Sequence, residues 1–184
     1  MKYAVMAVAL AALPHMALAQ QTTGTINLQG TVAGQCSVTG GGQAFSETIN
    51  LGELSGNDGR LRTDLTDASP DAERNFSVVC TSATPRVRLS ATRLSTATTA
   101  PTGYASDIDF TAEVAVLQAS GTPPQITYTT ASSLPAPTDV ALSAPLANTT
   151  DNVSLRVYSF GTAAGALLVA GDYTSVISIT ISPT

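Results

Sequence analysis

Charge is what this sequence has least of. Only 11% of its 184 residues are Asp, Glu, Lys or Arg, where an ordinary soluble domain carries about 25%. With 8 basic against 13 acidic residues the formal net charge is −5. A nucleic-acid binder needs a basic patch, so that class is excluded. There is no Trp, one His and two Cys. Disorder is excluded too, because 43% of the residues are hydrophobic and disordered chains combine low hydrophobicity with high charge. Ser, Thr, Asn and Gln must supply the polar surface. The length is that of one domain, or at most two small ones.

What charge there is thins further at the N-terminus. Met1-Lys2, an apolar run over 4–13 and the small-x-small Ala17-Leu18-Ala19 before Gln20 have the three parts of a secretory signal peptide. The apolar run is too short for a span, which needs about 20 residues. Cleavage after Ala19 removes the only Lys (Lys2), the only His (His15) and every Met (Met1, Met6, Met16). The remainder then has no His for a Ser-His-Asp triad, none for the usual catalytic zinc shell, and no Lys for Schiff-base chemistry. The expectation is an exported protein with no active site, no metal and no cofactor.

Cys36 and Cys80 remain. An isolated pair in an exported chain reads as a disulfide, and closing a loop of that size is worth about 4 kcal/mol in the chain-entropy model. Two Cys without His cannot complete a zinc shell.

Period-two alternation, the mark of half-buried strands, recurs along the chain. Ile26, Leu28, Gly30 and Val32 share one face of 25–32; residues 48–54 repeat the pattern less strictly. Phe76, Val78 and Cys80 align within 74–80, and apolar residues alternate through 86–90 and 153–157. Further strands are expected at 108–117 and 126–130. At the end of the chain Tyr173, Ile177, Ile179 and Ile181 oppose Thr174, Ser178, Thr180 and Ser182. Gly40-Gly41-Gly42, the 55–59 turn and the Gly161–Gly165 stretch break the pattern. The Pro-spaced stretch 134–145 reads as a loop or an irregular edge. No helical period stands out and no solenoid repeat appears. Seven to nine short strands predict an all-β chain forming a single β-sandwich.

Several residues carry weaker signals. Asp107-x-Asp109 and Asn57-Asp58-Gly59 offer oxygen donors for calcium, but without EF-hand spacing they read as solvated loop acids, as do the carboxylates of 64–73. A glycosidase needs two carboxylates at a set separation, and only their presence supports that. Asn75, Asn148 and Asn152 open glycosylation sequons. Arg86 and Arg88 alternate with apolar residues as on the outer face of a strand.

The chain resembles the chaperone–usher pilins, in a form similar to spore-coat-U-type subunits. Four stretches carry the likeness: Gly24-Thr25-Ile26-Asn27-Leu28-Gln29-Gly30 ahead of Cys36, Ile49-Asn50-Leu51-Gly52-Glu53-Leu54, Phe76-Ser77-Val78-Val79-Cys80-Thr81 with Val87-Arg88-Leu89-Ser90, and Ala170-Gly171-Asp172-Tyr173 running into the last strand. Residues 95–150 match nothing in that family. The resemblance implies an incomplete Ig-like sandwich with one disulfide, completed by a donated strand. It implies three segments: signal peptide 1–19, donor extension 20–30 and sandwich domain 31–184. Gly24, Ile26, Leu28 and Gly30 would face a neighbour's groove as the donor strand. Tyr173, Ile177, Ile179 and Ile181 would form the accepting strand. The implied partners are a periplasmic chaperone, an outer-membrane usher and neighbouring subunits, and the implied location is a pilus on the cell surface. On its residues alone, 25–32 could equally be the first strand of its own sandwich. The alternative to a pilus subunit is a self-contained secreted sandwich binding carbohydrate or another surface ligand. Such a site favours exposed aromatics, and only four Tyr and four Phe follow Ala19.

Overall fold

A computed structural model describes residues 26–40, 42, 44–65, 72–131 and 136–184. Residues 1–19, expected to be a signal peptide, and Gly24 of the expected donor strand lie outside them. The chain divides into two compact units, Met1–Thr31 and Val32–Thr184. In the first, residues 26–31 belong to no strand, and Ile26 and Leu28 are 88% and 94% exposed.

The second unit is all-β among the described residues. Its twelve strands are β1 (Cys36–Val38), β2 (Glu73–Phe76), β3 (Val78–Cys80), β4 (Arg86–Ala91), β5 (Leu94–Ser95), β6 (Tyr104–Ala105), β7 (Asp107–Val116), β8 (Gln125–Thr129), β9 (Thr138–Ala141), β10 (Val153–Gly161), β11 (Leu167–Leu168) and β12 (Ile177–Ser182). The largest sheet runs β2-β10-β7, with β8 and β5 sharing the far edge of β7. A second sheet runs β12-β4-β9, all antiparallel. Two short ladders, β1 with β3 and the parallel pair β6 with β11, complete the set.

Alternation explains which residues meet. Ile108, Phe110, Ala112, Val114 and Val116 of β7 are buried on one face, and Val153, Leu155 and Val157 of β10 lie beside them. Val87 and Leu89 of β4 enter the same core from the other sheet, with Arg86 and Arg88 outside. Arg86 is paired there with Asp139 at 2.9 Å.

The expected strand over 74–80 is broken in two at Ser77. The cause is Asn152, almost fully buried. Its amide donates to the Val78 carbonyl at 2.7 Å and its side-chain oxygen accepts the Val78 N–H at 2.8 Å. A side chain thus replaces the backbone of β10 as Val78's partner, which frees β3 to pair with β1. The sequon at Asn152 is a structural amide with its hydrogen bonds filled, not a surface acceptor. Residues 48–54 likewise form no strand: Ile49, Leu51 and Leu54 pack against the core, but Gly52 turns the chain with a positive φ of 70°. Within the Pro-spaced stretch, 138–141 is the edge strand β9, and 132–135 lie outside the described residues.

The last strand is shorter than its pattern. Tyr173 precedes it, because Thr174 pairs backbone-to-backbone with Ser95 and Val176 is tied to Thr92. Those contacts lead the chain past β5 before it joins β4 at Ile177.

Candidate functional site

β12 occupies the end of its sheet. β4 covers one edge, and among the described residues no strand pairs with the other. An apolar edge left open is a docking or aggregation site. Beside that edge lies a groove of about 250 Å³. Ile179 and Ile181 line one side, Cys36 and Val38 of β1 with Phe45 the other, and Val78 lies between. No charged side chain is among its lining residues.

Three local features hold the far wall. The disulfide Cys36–Cys80 joins directly opposed residues of β1 and β3. The Phe45 ring packs on buried Phe76, centroids 4.7 Å apart. Thr81 fastens the chain ahead of β1: its hydroxyl lies 3.0 Å from the Ala33 carbonyl and accepts the Gln35 N–H at 2.9 Å. At this end the two walls converge, since a Cβ on Gly34 would come within 3.1 Å of Pro183.

A second, larger cavity of about 650 Å³ has a separate lining. Residues 48–55 form one wall, 168–173 the other, with Leu94 between. The Tyr173 hydroxyl lies 2.9 and 3.0 Å from the Ala105 and Val169 carbonyls. Burial raises its pKa above the ordinary phenol value, and the Asp107 carboxylate adds to the rise. On the opposite wall the Ser55 hydroxyl and N–H donate to Glu53, lowering that carboxyl's pKa.

Of the expected accepting residues, Ile179 and Ile181 line the groove, Tyr173 lines the larger cavity, and the half-buried Ile177 lines neither. The expected donor residues Ile26, Leu28 and Gly30 are exposed and outside any strand. Sequence reasoning missed the opposite wall, Val38, Phe45 and Val78. The signal was an isolated Phe after the Gly-rich turn. Asp109 is not a free loop acid: Arg93 pairs with it at 2.8 Å and the buried Thr130 hydroxyl donates to it at 3.1 Å. Among the described residues no cluster of His, Cys, Asp or Glu could hold a metal ion.

The groove sets an edge of β12 that no described strand pairs beside apolar side chains, a geometry that can take up an extended chain by β-augmentation. No family model, curated protein or solved structure matches this chain.

Proposed function

We propose that this chain is a structural subunit of a surface pilus, polymerised by strand donation between copies. The reading is an Ig-like sandwich left one strand short, with the acceptor between β12 and β1. The observation that carries it is the unpaired edge of β12 beside an uncharged apolar groove. The exposed, unpaired Ile26 and Leu28 support it from the other side. Each would gain roughly 1.5–3 kcal/mol on full burial, and ladder bonds along β12 would add to that. An exported subunit with such an edge needs cover before assembly. A periplasmic chaperone would supply the first strand and an outer-membrane usher would exchange it for the next subunit's residues 20–30.

Material sheared from cells expressing the chain tests this on a denaturing gel, unheated and boiled. A ladder that collapses to one band on boiling is expected, and deletion of 20–29 abolishes it while a chaperone-bound subunit persists. Monomer in both lanes, soluble without a chaperone, would mean that the domain is self-sufficient, and the reading would fail.

A further inference from the structure

The proposal here rests on strand donation and concerns what happens where a donated strand meets its own domain. Thr81 holds the backbone from Ala33 onward through its bonds to Ala33 and Gln35, and the Thr81 N–H donates to the Gln35 carbonyl at 2.9 Å. Gly34 sits so close to Pro183 that a methyl group barely fits. The chain is therefore tied to its domain at Ala33. The proposed donor extension ends at Gly30, so only Thr31 and Val32 lie between. Three Cα steps reach at most about 11 Å even when fully extended. A donor strand seated to Gly30 in one domain leaves no room for a free linker before the next.

We infer that successive domains touch directly, pole against groove mouth, and that Val32 is the apolar centre of the contact. Val32 is 85% exposed in the single chain, so its side chain is open to such a contact. The pole around it is formed by 31–35 and the turn 81–85. It contains Thr, Ser, Gln, Ala, Gly and Pro and no Asp, Glu, Lys or Arg. Hydroxyls of Ser82 and Thr84 are drawn together there by Thr184. The partner it fits is a second copy of this chain.

The experiment inserts Gly-Ser-Gly-Ser between Thr31 and Val32 of the full chain, with V32D as a second variant of unchanged length. Gel ladders and the axial repeat and stiffness of filaments in electron micrographs are read for both. The insertion is expected to keep the ladder, lengthen the repeat by up to about 14 Å and make the filaments bend. V32D is expected to keep the ladder and lose stiffness. An insertion that leaves repeat and stiffness unchanged would overturn the direct contact. So would a ladder lost on insertion alone, which would place Thr31 and Val32 inside the donated strand. A wild-type chain with no ladder removes strand donation itself, a failure distinct from either.

Discussion

Ile179 stands directly opposite Leu89 in the antiparallel β12–β4 register, yet Leu89 is completely buried and Ile179 is not. The next pair inward on the same face, Ile181 and Val87, repeats the contrast. The chemistry of the paired residues is alike; their neighbours differ. β4 has a strand on each side, β9 and β12, whereas β12 has β4 on one side and the groove on the other.

That asymmetry separates the two residues in a stability experiment. Leu89→Ala should cost the isolated subunit about 2–5 kcal/mol. Ile179→Ala should cost it clearly less, because part of the side chain is already in water. In the proposed polymer the Ile179 variant is expected to lower the temperature at which the gel ladder collapses. Denaturant midpoints of the subunit and the collapse temperature measure the two. Equal costs in the isolated subunit would show that the groove is closed there.

Asn152 carries the junction of β2 and β3. Asn152→Ala orphans the N–H and C=O of Val78 and the carbonyl of Ala147, all bonded at 2.7–2.8 Å. At about 1–3 kcal/mol for a buried group left without a partner, it should destabilise more than Leu-to-Ala changes on the surface. Chemical denaturation reads the total, and hydrogen exchange at Val78 reads the site.

Reduction of Cys36–Cys80 should cost about 2–5 kcal/mol and release the wall of the groove formed by β1. Melting with and without reductant measures the first. The second is read by binding of a peptide spanning 20–30, which is expected to weaken in the reduced protein. Unchanged peptide binding would mean that β1 is no part of the acceptor.

Acid and alkali act on opposite walls of the larger cavity. Ser55 holds the Glu53 carboxyl below its ordinary value of 4.5, and Arg62 holds Asp64 below 3.8. Both favour the ionised form in the fold, so their support is complete above those values and disappears as pH falls through the lowered ones. Burial raises Tyr173 above 10.0, so its support is complete below that value and is lost as pH rises through the raised one. Protection factors across 53–64, measured against the intrinsic exchange rate at each pH, should therefore fall in acid. Ultraviolet titration should find a tyrosine ionising above the ordinary phenol value, and Tyr173→Phe should remove it.

Strand positions were largely legible because alternation is a local property. The apolar phase of 108–117, 126–130, 86–90 and 153–157 appears in β7, β8, β4 and β10 with ends shifted by a residue or a few. Legibility failed where a distant group competed for the backbone. Nothing local in Phe76-Ser77-Val78 announces that a side chain 74 positions away takes Val78's ladder bonds. Nothing in 48–54 announces that its apolar residues pack on the core without a strand partner. The Tyr173 start of the last strand failed similarly, because Ser95 and Thr92 bind the backbone that leads into it.

The sequence by itself determined that residues 177–182 form a strand with one apolar face, since side-chain direction in an extended chain depends only on the alternation of its own residues. It also determined that its two Cys had only each other to bond within the chain. Which strand covers that apolar face was decided by the tertiary structure alone. Pairing is nonlocal: β12 took the end of a sheet with β4 as its single neighbour, and β1 was drawn away to β3 by the disulfide and by Asn152. The space left between them is the groove.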